Sequence, residues 1–292
     1  MKKSILVVCI LASLLFGVPL YADCPSADLT GDCYVGLDDI AILAAQWLTG
    51  GVSEPNIVWV PVNEPGSFVG WVSKYETTND DYCRFLNDAL ASGDITVSSN
   101  NVLGAVGSNG GTDYDGQVYY KLDGAGYNYD GASNGGAARI NYSSGAFSVD
   151  IGFENHPVTF ISWYGAAAFC SYYGYRLPTE WEWQAVADFN GAYTYGCGTV
   201  IANSIANYYG STHPKGTTAV GAFGVYGYGV CDMAGNVMEW TSSIYSGSNY
   251  VLRGGAWYYN STYCTVAYRT SYLTRPSTTY YAGFRAFRSA GE

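Results

Sequence analysis

Residues 232–257 read DMAGNVMEWTSSIYSGSNYVLRGGAW, and a short echo, GFRAFR, follows at 283–288. Glycines, tryptophans and one acid with a buried look, Glu239, share this span. YVLRGGAW and GFRAFR read as strands, apolar and aromatic runs bounded by turn-forming residues. Two upstream runs belong with them. HPVTFISW at 156–163 is a strand that ends on Ser162, which caps a helix running to about Tyr173. Ala166, Ala167, Phe169 and Cys170 are its inward positions. RLPTEWEW at 176–183 carries Thr179 after Pro178, and Glu182 three residues further on. That spacing is a capping box, so a helix over Glu180–Asp188 is expected, burying Trp183 or Trp181. Glu180 and Glu182 resemble an acid/base pair by type, but Glu182 has a capping task and no nucleophile beside it, so both are read as structural.

Further out, Ile57–Val62 opens the main domain as a strand and Phe68–Val72 is a second apolar run. In TTNDDYCRFLNDAL, Thr78 caps a helix with Asp81 three residues later, and Tyr82, Phe85 and Leu86 form its buried face. Residues 92–150 are rich in Gly, Ser, Asn, Asp and Tyr. The short runs VYYKL (118–122), ARINY (138–142) and AFSVDIGF (146–153) read as hairpins with long loops. From Asn190 to Tyr228 the chain is turn-rich. Few short helices and many irregular strands make the class α+β.

The chain has 292 residues, a formal charge of −11 and only 13% charged residues. Residues 1–22 read as a secretory signal: Lys2 and Lys3, the apolar run Ser4 to Leu20, and Ala22 before a cleavage point at Asp23. The competing reading is an N-terminal membrane anchor, for which the apolar run is short. Without the leader, 11 basic residues face 24 acidic ones, which disfavours nucleic acid and anionic membranes as partners. No further segment is apolar enough to span a bilayer. A secreted location, periplasmic or extracellular, implies an oxidising compartment. Seven cysteines remain there: Cys24, Cys33, Cys83, Cys170, Cys197, Cys231 and Cys264. Disulfides are expected, and the odd count leaves at least one thiol unpaired within the chain. His156 and His213 each precede a proline, stand 57 residues apart and read as loop residues.

Residues 23–48 form a small acidic module, followed by a linker at 49–56. In DLTGDCYVGLDD, Asp28, Thr30 and Asp32 fall at positions one, three and five of a calcium loop. Tyr34 offers its carbonyl at seven and Asp39 is the acid at twelve. Alternate oxygen ligands in a tight turn suit Ca²⁺. The alternative is an acidic helix without metal. The module resembles a single repeat of a type I dockerin, although Cys33 stands where glycine is usual and a second repeat is missing. Cys24 and Cys33 are near enough in sequence to pair. A cohesin-like partner is the corresponding expectation.

The four runs quoted above, in their order, resemble the formylglycine-generating enzyme family, the sulfatase-modifying factors, over about residues 56–290. The resemblance implies a C-type-lectin-like core at 57–290. It also implies O₂-dependent conversion of a target cysteine to formylglycine at a Cu(I) bis-thiolate, whose soft ligands select the metal. The family's two cysteines lie five apart, after an RGGS segment. Here RGGAW begins at Arg253; the second position falls on Cys264, the first on Tyr259, and the serine is Ala256. One thiolate cannot make that site, and nothing in the spacing of Cys170, Cys197 or Cys231 nominates a replacement. The resemblance also places Ca²⁺ at Asp232, Gly235, Val237 and Glu239. A second family calcium site keeps only Asn207 and Tyr208. The iron-dependent branch of the family needs a His-rich helical domain that two histidines cannot supply. The expectation is a degenerate member that binds a peptide, protein or glycan through Trp257, Tyr258 and Tyr259. The alternative is an oxidoreductase acting on a sulfatase through Cys264 and a non-standard second thiol.

Overall fold

The computed structural model describes residues 35–36, 54–108, 112–126, 136–210 and 216–290. Contacts divide the chain into Met1–Ser53 and Glu54–Glu292. The leader, His213, the Cys24–Cys33 pairing and the loop residues Asp28, Thr30, Asp32, Tyr34 and Asp39 lie outside the described residues.

The second unit opens with β1 (Trp59–Glu64) and β2 (Phe68–Ser73), an antiparallel hairpin. The last strand, β11 (Phe287–Ser289), adds to the far edge of β2, with Phe287 opposite Val72. The two ends of the unit are thereby hydrogen-bonded into one sheet. Helix α1 (Asn79–Ser92) starts where the sequence indicates: Thr78 Oγ1 accepts from Asp81 N, and Gly93 ends the helix in the left-handed region at φ 86°. Tyr82, Phe85 and Leu86 face the core.

The loop-rich middle forms β3 (Ile95–Ser98), β4 (Asn101–Gly104) and β5 (Val118–Lys121) as one three-stranded sheet. Strands β6 (Ile140–Ser143) and β7 (Ala146–Val149) make a hairpin. Strand β7 stops at Val149, before the end of the apolar run, because a turn at 150–152 comes next. Helix α2 (Trp163–Tyr172) is capped by Ser162, whose hydroxyl accepts from Gly165 N. Helix α3 (Glu180–Asp188) has the reciprocal capping box between Thr179 and Glu182. Of its two candidate tryptophans, Trp183 is 0% exposed and Trp181 is 60% exposed.

Strands β8 (Met238–Ser246), β9 (Asn249–Arg253) and β10 (Ala282–Gly283) form the third sheet, in the order β10-β8-β9. GFRAFR is therefore not one strand. It belongs to two sheets, and between them Arg285 is wholly buried. The largest core cluster joins α1, α2 and the aromatic residues of β5. A second gathers Trp183, Val60, Val72, Val230, Met233 and Phe287. The architecture is α+β, with short helices and irregular strands.

The expected disulfides are not found among the described residues. Cys83, Cys170, Cys197, Cys231 and Cys264 are all free and buried. Cys83 and Cys170 sit on helices as small core residues, in line with the preference of unpaired cysteine for the interior. Among the described residues no helix is long and apolar enough to cross a membrane.

Candidate functional site

The turn at 232–239 is held from beneath by acids and one arginine. Asp232 and Asn236 both take φ 59°, a conformation uncommon for residues other than glycine. Gly235 at φ 84° packs against the Asn207 carbonyl so closely that a Cβ would collide with it. Glu76, from the residues before α1, accepts from Val237 N at 3.0 Å and from Asn236 Nδ2 at 2.5 Å. Asp232 Oδ2 accepts from Gly221 N at 2.5 Å.

Glu239 accepts from Arg285 Nε and Nη2, each at 2.7 Å, and from Trp183 Nε1 at 2.7 Å. Arg285 spends its other donors on the carbonyls of Ser73, Lys74 and Cys231. Burial, followed by the charges of Asp232 and Glu239, raises the Glu76 carboxyl well above its usual range. Burial pushes Asp232 up to about 6, against the opposing Gly221 N–H.

The calcium set expected here, Asp232, Gly235, Val237 and Glu239, is close in sequence, but Glu239 does not fit the role of a ligand. Both of its oxygens are occupied by a guanidinium and an indole N–H, and a cation beside Arg285 would be repelled. Among the described residues no group of three His, Cys, Asp or Glu side chains could hold a metal ion.

Beyond Gly254 the chain turns into the region of the expected catalytic cysteine. Gly255 adopts φ 72°, and an added Cβ would sit 2.5 Å from Cys264 Sγ. Cys264 is 0% exposed, and its thiol points at the Asn260 carbonyl, 3.8 Å away. Burial pushes that thiol up to about 12, so it is held protonated. Five residues earlier, the Tyr259 ring packs 4.9 Å from Tyr263 and 5.3 Å from Tyr281. Burial, then Tyr281, raises its hydroxyl pKa, so Tyr259 is a neutral phenol. One thiol and one phenol do not supply the two soft thiolates of a two-coordinate Cu(I) site.

Of the other thiols among the described residues, Cys197 alone shares the small cluster of Cys264, with Ala206 and Ala234. The segments are brought together by Tyr195 bridging to Thr265 and by Val266 N donating to the Thr194 carbonyl at 2.8 Å. Burial pushes the Cys197 thiol up to about 11. Cys170 lies in the main core, and the Cys231 carbonyl is bonded to Arg285.

Trp257, Tyr258 and Tyr259 do come together, within a larger aromatic group. Tyr258 packs 5.3 Å from Tyr280, Trp257 5.8 Å from Tyr280, and Tyr263 4.8 Å from Tyr268. Trp257 is only 5% exposed and gives its indole N–H to the Tyr280 carbonyl. It is a floor rather than a contact, and the half-buried Tyr258, Tyr259, Tyr280 and Tyr281 form the accessible face.

His156 sits in a loop with Nδ1 3.0 Å from Thr217 Oγ1. Glu182 grips Arg176 with both oxygens at 2.8 Å besides its capping bonds. Sequence reasoning did not reach Glu76, Tyr280, Tyr281 or the proximity of Cys197. For Glu76 the available signal was an acid two residues before a helix cap. The others had none.

A family model described as the sulfatase-modifying factor enzyme 1-like domain matches residues 67–290. The chain is similar to "Serine/threonine-protein kinase pkn1" of Chlamydia caviae, 37% identical over 141 residues, covering 41% of this chain and 22% of the kinase. It is also similar to "Inactive C-alpha-formylglycine-generating enzyme 2" of Bos taurus, 37% identical over 116 residues, covering 35% and 38%. The chain thus spans less than half the length of these curated relatives. Among solved structures, CarF superposes with a TM-score of 0.55 at 18% identity, covering 80% of this chain and 98% of CarF, which is a likeness of fold.

Proposed function

Because the chain belongs to the sulfatase-modifying factor enzyme 1-like domain family, we propose that it is a degenerate member of that family, acting as a binding module and not as an oxidase. The observation that carries this reading is Tyr259. The resemblance sets it at the first copper position; it is built into a set of rings, and Cys264 is buried. One similar protein is named an inactive formylglycine-generating enzyme, so loss of the activity has a parallel. The half-buried tyrosines 258, 259, 280 and 281 offer rigid surface with polar tips, suited to a peptide, protein or glycan. Function on such a scaffold resides in the site and not the fold. Secretion, the calcium loop at 28–39 and a cohesin-like partner remain part of this proposal on sequence alone.

The test uses the purified full chain. It is loaded with Cu(I) anaerobically, then given O₂ and a peptide with the family's CxPxR target motif, and the cysteine is followed by mass spectrometry. No retained copper and no aldehyde is the expected result. Conversion that vanishes in Cys264→Ser overturns the binding-module reading.

The second reading, an oxidoreductase acting on a sulfatase, has one observation in its favour: Cys197 packs in the same cluster as Cys264. Under it, Cys197 is the non-standard second thiol, and both Cys197→Ser and Cys264→Ser lose bound copper. Copper retained after Cys197→Ser removes this reading.

A further inference from the structure

A second aromatic surface lies outside the tyrosine face. Trp181, in the first turn of α3, is 60% exposed, and Tyr245, near the end of β8, is 51% exposed. Folding gains little from two large rings left in water. Between them sits Arg269, its guanidinium carbon 5.4 Å from the Trp181 ring and 5.0 Å from the Tyr245 ring.

Arg269 is fixed from below. Its Nε and Nη2 donate to the two oxygens of Glu180, which is 3% exposed. Glu180 N donates to Ser243 Oγ at 2.9 Å, and Ser242 N to the Pro178 carbonyl at 2.7 Å, tying the start of α3 to β8. Two exposed rings on regular elements and a guanidinium edge anchored to Glu180 of α3 are therefore held in place, with little ordering left to lose on binding. Arg269 Nη1 has no protein acceptor among the described residues.

We propose that Trp181, Arg269 and Tyr245 form a binding platform for a neutral, hydroxyl-rich carbohydrate chain. A sugar ring has a C–H face that can lie on the negative face of an aromatic ring, and hydroxyls around its rim that accept from the unspent guanidinium N–H groups. Glu180 cancels the charge of Arg269, and the chain carries −11, so a polyanion gains no attraction here. An apolar peptide would cover Arg269 and leave its N–H groups without acceptors, at a desolvation cost. The platform uses none of the four tyrosines at 258, 259, 280 and 281, and it does not depend on the fate of the oxidase chemistry.

The experiment is native gel electrophoresis of the full chain through gels cast with galactomannan, arabinoxylan or mixed-linkage β-glucan, and with alginate as the polyanionic comparison. Retardation in at least one neutral gel is expected. Trp181→Ala and Tyr245→Ala each weaken it about tenfold or more, as loss of an aromatic anchor does. Ile151→Ala, at a 96% exposed residue, leaves it intact, and all three variants keep the parent's thermal midpoint within a few degrees. No retardation in any neutral gel overturns the proposal, as does retardation in alginate alone. Retardation that survives Trp181→Ala but not Tyr258→Ala places the sugar on the tyrosine face and also overturns it.

Discussion

Arg285 and Glu239 form a bidentate ion pair at 2.7 Å, at 0% and 1% exposure, joining the segment before β11 to strand β8. The arginine donates to three carbonyls besides, and the glutamate accepts from Trp183, so every charged atom in the pair has a partner. Removing one member strands the other in the core. Glu239→Ala is expected to destabilise the fold by about 3–5 kcal/mol, read from chemical denaturation of the full chain. A cost under about 1 kcal/mol would mean the pair is not closed in solution.

Asp232 gives the fold a pH dependence of known sign. Burial raises its carboxyl from 3.8 to about 6, so the folded chain holds the proton more tightly than the unfolded chain. Its contribution favours the fold below about pH 4 and is lost as pH rises through about 6, a change of about 3 kcal/mol. Asp232→Asn keeps an acceptor for Gly221 N and is expected to flatten the stability profile across that window. It is expected to be the more stable protein at pH 7. The slope that remains combines Glu76, raised in the same direction and facing Asp232, Glu239 and Arg285, with His156, which burial lowers and which acts in the opposite sense. Denaturant midpoints measured from pH 4 to 8 check this, and an unchanged profile in Asp232→Asn would refute it.

The two tryptophans of α3 separate packing from surface. Trp183→Ala removes a 0% exposed ring and the N–H that Glu239 accepts, and is expected to cost about 3–5 kcal/mol. Trp181→Ala is expected to change stability by under about 0.5 kcal/mol. Thermal unfolding of both variants decides the matter.

Tyr259 is the residue whose reversal is most informative. Tyr259→Cys supplies a second thiol five residues from Cys264, the spacing the family's site uses. The variant is expected to retain one Cu(I) per chain under anaerobic dialysis where the parent retains none. X-ray absorption of the variant is expected to report two sulfur ligands. Equal copper in parent and variant would show that Tyr259 is not what closes the site.

Much of the fold is local, and that part was legible. Thr78, Ser162 and the Thr179–Glu182 box mark helix starts because a cap is a hydrogen bond between residues three apart, written in consecutive letters. The expected disulfides were not legible. Pairing depends on where cysteines meet in space, and the described five are each buried as a free thiol.

By itself, then, the sequence determined the helices and their caps and the α+β class, since each is a matter of residue type at short spacing. The tertiary structure decided which of Trp181 and Trp183 is buried, two positions on one short helix that satisfy the same cap equally well. It gave Glu239 an arginine 46 residues away in place of an open coordination site. It set Tyr280 and Tyr281 against Tyr258 and Tyr259, and Cys197 beside Cys264. Those outcomes depend on which strands lie side by side. Packing of distant segments around a shared core fixes that, and no spacing along the chain encodes it.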